Sequence, residues 1–417
     1  MAIRTLTGNA PTVAQVVTIT PSAPAVGETF IYTISNKVLT YTAPATPTPT
    51  VATVCAGIKA MLSASTSPAE FADVTWADNT TTVTGTAKVA GKPFTVSKSG
   101  TGTHTLTTTT TSSGPNDASL GTNWGGTAPT AGDDVVLDGL VSNANLLYNL
   151  DQSAVGNLAS FKTRNKYSGR VGLNEVNTAG YAEYRAKYLK YAFASGSEID
   201  IDCDSQQFKL DFSASVVNIH VANTGTSGSE TGFPALALTG AVSGSTLEAN
   251  KGNIGTTVTT GLSMALNTVT IGYVTSPQSD VNIVFGDGTG LATINAKGGT
   301  FSIPSAPTAL NTVSIVGPVT AYIASNSITT SLTNYGGTVY WMGTGTLAAY
   351  TGGFGSVLDT SHDTSARTIT TAALYRGARI NDPFKTISWT NSITTIDLRM
   401  SDLASSDFGK NFNFKVT

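Results

Sequence analysis

The chain has 417 residues, only 12% of them charged, a net charge of −3 and a hydrophobic fraction of 40%. That composition is too apolar and too weakly charged for a disordered chain, and its 42 glycines fall far short of the one in three of collagen. The near-neutral balance gives no electrostatic ground for nucleic acid or an anionic membrane as the main partner.

In chain order, the first residues, Met1-Ala2-Ile3-Arg4-Thr5, hold one basic side chain and no apolar stretch, so no secretory signal is expected. No run of 18 apolar residues occurs, so no transmembrane helix is expected either. Residues 16–20, 29–34 and 38–42 are rich in β-branched and aromatic types and predict strands, with Ser35-Asn36 as a hairpin turn. A stiff proline-rich connection, Pro44 to Pro49, leads into one helix. Val51, Val54, Cys55, Ile58, Met61 and Leu62 share its apolar face, and Thr48 or Thr50 supplies the N-cap. Strands are expected again at 73–76, 81–84, 94–97 and 104–108. Residues 1–113 thus predict a small β-domain with one packed helix. The threonine-rich tract from Thr107 marks a boundary, and 114–124 is expected to be a polar linker.

Beyond it the pattern changes to short β-forming runs separated by Gly, Asn, Ser and Thr: 216–220, 235–238, 268–271, 281–284, 300–303, 312–315, 338–341, 357–359 and 386–389. No helical periodicity follows residue 190. Leu266-Asn267-Thr268-Val269-Thr270-Ile271 returns as Leu310-Asn311-Thr312-Val313-Ser314-Ile315, and Gly298-Gly299-Thr300 as Gly336-Gly337-Thr338. Such echoes predict a parallel β-helix, or β-solenoid, over 125–395. One turn cannot bury its inward residues alone; stacked turns bury them in a shared column. A β-sandwich array would need longer strands. The last segment, 396–417, with Phe408, Phe412 and Phe414, is expected to cap the open strand edge.

Two stretches carry a resemblance. Gly27-Glu28-Thr29-Phe30-Ile31-Tyr32-Thr33-Ile34, with Val38 to Thr42 and the helix, resembles small β-domains of phage virion proteins. Trp124, Pro129 and Gly132-Asp133-Asp134-Val135-Val136-Leu137-Asp138 resemble the opening rung of parallel β-helices in phage structural proteins and bacterial surface adhesins. The resemblance implies a capsid decoration, head fibre or tailspike-like protein. With no export signal expected, it favours a virion component assembled in the host cytoplasm over a secreted adhesin.

Several constellations could carry chemistry. Residues 162–190 hold Lys162, Arg164, Lys166, Arg170, Arg185, Lys187 and Lys190 against Glu175 and Glu183, interleaved with Tyr167, Tyr181, Tyr184, Tyr188 and Tyr191. Basic and aromatic residues together suit a protein interface or a solvated face, and can hold single-stranded nucleic acid. The eight residues Lys162, Arg164, Lys166, Tyr167, Arg170, Arg185, Lys187 and Lys190 are the interface candidates, with nucleic acid the disfavoured partner. Glu198, Asp200, Asp202 and Asp204 alternate with Ile199, Ile201 and Cys203, placing carboxylates on one strand face about 6.5–7 Å apart. They are the candidates for a cation or for paired-acid chemistry. A solvated outer face is the favoured reading. Asp133, Asp134 and Asp138 suit a turn, with calcium as the other reading. The glycine-rich 285–290 is a turn, since no helix follows it to cradle phosphate. His104, His220 and His362 are structural, Ser361-His362-Asp363 being mere sequence neighbours. Cys55 and Cys203 predict two buried free thiols.

The expected function is a non-enzymatic virion structural protein without a cofactor or a membrane. It would form a homo-oligomer, a trimer by preference, and bind a major capsid protein or another virion protein. A polysaccharide-binding or -degrading tailspike and a cell-surface adhesin are the alternatives.

Overall fold

The computed structural model describes residues 2–272, 280–304, 310–324, 328–396, 399–408, 410 and 412–416. The chain is mainly β, with 48% strand and 6% helix. Two apolar cores organise it, one in an N-terminal module and one running through a parallel solenoid.

The module packs a four-stranded antiparallel sheet, in the order Val74–Asp78, Val83–Ala87, Val16–Pro21, His104–Thr110, with a three-stranded sheet, Lys37–Thr42, Thr29–Ile34, Ser97–Ser99. The hairpin pairs Ile34 with Lys37 across the two expected turn residues, and Ser35 takes φ 58°. The helix is Val51–Leu62; Thr50 caps it, its hydroxyl accepting from the Thr53 amide while the Thr53 hydroxyl accepts from the Thr50 amide. Val54, Cys55, Ile58 and Leu62 are its buried face. Gly57 is where the helix lies on the hairpin: a Cβ there would stand 2.2 Å from the Tyr41 ring. The strand expected at 94–97 begins only at Ser97. Phe94 is buried instead, and the Gln15 side chain serves as its strand partner, accepting from its amide at 3.0 Å and donating to its carbonyl at 2.8 Å.

The solenoid has two parallel sheets, one of fifteen strands and one of ten. The chain alternates between them, so in-sheet neighbours belong to successive turns, about ten in all. Inward residues from both sheets form one cluster, from Leu6 to Phe408. The sequence echoes are solenoid turns. The copies starting at Leu266 and Leu310 lie in Met264–Ile271 and Leu310–Val316, with Thr289–Ala296 between them in the long sheet.

Three boundaries differ from expectation. Ile3–Thr5 leaves the module and pairs in parallel with Asp134–Asp138, so the chain's first strand is the edge of the long sheet. Asp133 fastens it, accepting from Arg4 Nε at 2.8 Å and the Ala2 amide at 2.9 Å. Residues 114–124 are no loose linker. Ala118 and Trp124 enter the solenoid core, and the fully buried Asn123 side chain bonds the Ala10 amide and the Gly114 and Asp117 carbonyls. A short helix, Met400–Ala404, forms where no helical period was legible. Phe414–Val416 then pairs with Ile393–Ile396 and adds a last strand, while Phe408 packs on the core.

Candidate functional site

The basic and aromatic segment lies where module and solenoid meet. Between Leu158–Arg164 of the long sheet and Leu189–Lys190 of the second sheet the chain bridges the solenoid at Tyr167 and Val171 and then leaves it. Within this excursion Val176 and Ala182 pair in an antiparallel bridge, closed by a turn in which the Gly180 amide donates to Asn177. The resulting arm reaches the module. The Tyr181 hydroxyl donates to Asp73, and Tyr184 packs against the module's core. Arg185, with a side chain only 9% exposed, donates from Nε to the Pro93 carbonyl at 2.7 Å. Its other nitrogens meet Glu183 at 2.8 Å and Asp73 at 3.5 Å, and its guanidinium lies 4.5 Å from the centre of the Tyr184 ring. Lys92 of the module closes on Asp73 at 2.7 Å.

The network continues into the solenoid. Glu175 at the base of the arm pairs with Lys187, accepts from Thr259 at 2.9 Å and lies 3.5 Å from Lys209. Lys209 is buried and pairs with Glu230 at 2.7 Å. Burial pushes the Asp73 and Glu175 carboxyls up. Hydrogen bonds from Lys92 and Tyr181 to the first, from Lys187 and Thr259 to the second, and the nearby cations outweigh it and hold both below the usual range. Two open clefts flank the arm, one of about 540 Å³ beside Lys37, Glu70 and Tyr181 and one of about 590 Å³ beside Thr95, Asp151 and Arg185.

The eight interface candidates are not brought into one patch. Lys162 pairs with Asp200 at 3.0 Å and Arg164 with Asp138 at 2.9 Å along the long sheet. Lys166 is exposed in a turn at φ 55°. Tyr167 corrects the expectation most sharply. It is buried in the core with its hydroxyl on the Ala144 carbonyl, out of reach of any partner. Arg170 donates to Gln207 and Asn174, Lys187 pairs with Glu175, and Lys190 lies 3.9 Å from Asp151. Arg185 faces inward, to the module. Asp73, Lys92, Lys209 and Glu230 were missed: each meets a partner that lies well away from it in sequence.

The acidic strand Phe193–Asp202 has the alternation expected, with Ile199 and Ile201 inside and the acids outside. The Glu198, Asp200 and Asp204 carboxylates are separately partnered, and at Asp202 the backbone amide donates to the Thr163 hydroxyl at 2.8 Å. Glu198 accepts from Asn218 and faces His220, both at 3.0 Å; Asp200 holds Lys162; Asp204 accepts from Asn223 at 2.8 Å. In register, Lys162, Asp200, His220 and Glu248 form a ladder of alternating partners across four turns. Among the described residues no group of three His, Cys, Asp or Glu is placed to hold a metal ion. Asp363 gives its carboxylate to the Ser365 amide and lies 3.8 Å from Arg367, while His362 packs edge-on to Tyr340. Cys55 and Cys203 are free and buried, and burial pushes both thiols up to about 11.

No helix of the described residues is long and apolar enough to cross a membrane. Comparison with family models, curated proteins and solved structures gives no match for this chain. The fold by itself defines the class, a parallel β-solenoid protein with a small N-terminal β-module docked on its first turns.

Proposed function

We propose that this chain is a non-enzymatic structural component of a virion, a capsid decoration or head fibre, in which the module docks on the particle and the solenoid projects. One observation carries the reading. Part of the basic and aromatic segment, Tyr181, Tyr184, Arg185 and Lys187, is occupied inside the molecule where module meets solenoid, with Asp73, Glu175 and Glu183 as counter-charges. A joint of that kind suits a body that passes mechanical load from a docked base to a shaft. The partners are then a major capsid protein or another virion protein and further copies of this chain, trimeric by preference. Affinity across the particle comes from avidity.

The test is saturation binding of the full chain to particles that lack it, with a host polysaccharide incubated alongside. The expected result is a fixed number of copies per particle and no new reducing ends. Reducing ends released by the chain, or binding that never saturates, would overturn the reading.

A further inference from the structure

Residues 298–358 contain no Asp, Glu, Lys, Arg or His, and the first charges on either side are Lys297 and Asp359. Its described residues, 298–304, 310–324 and 328–358, form a belt of consecutive solenoid turns. On the long sheet its outward positions stack like on like, Thr312 over Ser331 and Ser314 over Thr333 over Thr351, and continue the columns begun by Thr293 and Asn295 on the turn before. Beside them, at the corner where each long-sheet strand ends, runs an apolar ridge. Val316 is in register with Tyr335 and Tyr335 with Gly353, and Tyr375 follows on the next turn. Val316 is 54% exposed and Phe354 is 72% exposed. The Phe354 ring leans on Tyr335 at 5.4 Å, and Tyr335 meets Tyr375 at 6.3 Å. Phe354 also sits at φ 54°, in the left-handed region that glycine and asparagine favour. A bulky apolar residue held both strained and exposed points to a contact outside the chain.

We infer that this ridge and the neutral face beside it are the contact between copies of the chain, packed parallel and in register around an axis along the solenoid. The charge pattern selects that occupant. Under such symmetry each turn faces the same turn of its neighbour, so any charge near the axis would meet its own kind. A surface for a charged foreign partner would carry complementary charge; this one carries none over the whole belt. Charge depletion with aromatic enrichment is also the signature of an interface centre. The inference rests on the homo-oligomeric part of the function proposed above and assigns it a surface and an orientation.

Sedimentation of the purified chain across the micromolar range tests it without particles, so its failure and a failure of particle docking are separate results. The unaltered chain should associate. Phe354→Asn removes the ring and relaxes the backbone; it should weaken association about tenfold or more and leave the melting of the monomer unchanged or raised. Thr333→Glu and Thr333→Lys should each dissociate the assembly, and an equimolar mixture of the two should restore it. A chain monomeric throughout, variants that associate as the unaltered chain does, or charge variants that dissociate singly yet fail to recover on mixing would each overturn the inference.

Discussion

Asp73 and Arg185 come from opposite sides of the joint, and each needs the other. Lys92, Tyr181 and Arg185 converge on the Asp73 carboxylate, and the Arg185 guanidinium is nearly closed to solvent. Asp73→Asn would take the counter-charge from Lys92 and leave Arg185 with Glu183 alone in a poorly solvated place, at a cost of about 3 kcal/mol. Lys162→Ala breaks a pair whose two side chains are each 44% exposed, and should cost no more than about 1 kcal/mol. Urea unfolding of both variants checks the contrast. Asp133 gives a pH dependence. Its carboxyl is held well below the usual range, chiefly by the hydrogen bond from Arg4, with burial opposing and the Ala2 amide and Thr130 adding to it. A group depressed by folding stabilises the fold while ionised. Its contribution is complete above the ordinary Asp value of about 3.9 and is lost as pH falls through the depressed one. Protection of the Ile3–Thr5 amides relative to their intrinsic exchange should therefore fall as pH drops below the ordinary Asp value. Asp133→Asn should fray the strand already at neutral pH and abolish the acid response.

At the scale of elements, the sequence was most legible where the signal is local. The helix Val51–Leu62, its threonine cap, the Ser35-Asn36 hairpin and the strands Thr338–Trp341 and Val357–Asp359 all follow from periodicity and turn chemistry in a short window. Ile3–Thr5 was illegible because three residues carry no period, and their partner strand lies more than a hundred residues on. The same holds for 114–124: polar composition suggested a linker, yet Asn123 is polar in order to satisfy buried backbone. Asn123→Ala would leave the Ala10 amide and the Asp117 carbonyl unpaired and take one of two donors from the Gly114 carbonyl, at a cost of about 2–3 kcal/mol. Chemical denaturation should show that loss, and exchange should localise it to the solenoid's first turn. The basic segment was legible as unusual and illegible in purpose, since its counter-charges Asp73, Asp138, Asp151 and Asp200 lie outside it in sequence and meet it only after folding.

The whole molecule is two cores, joined by the arm and by the contacts of residues 6–10 with 114–124, where the chain passes between them. A solenoid gains stability turn by turn, from columns such as Tyr322 stacked on Tyr340 at 4.9 Å. The module has its own core of sheet and helix residues and meets the solenoid through the arm around Tyr181, Tyr184 and Arg185. If that arm is the joint, module and shaft move as one body, and loosening the arm frees them without unfolding either. The distance distribution between spin labels at Thr107→Cys on the module and Ser195→Cys on the solenoid reads this directly, because the buried Cys55 and Cys203 thiols stay unlabelled. The account predicts one narrow distance in the otherwise unaltered chain, and a broad distribution once Tyr184→Ala and Arg185→Ala are added. A distribution already broad before those changes, or one that stays narrow after them, would contradict it.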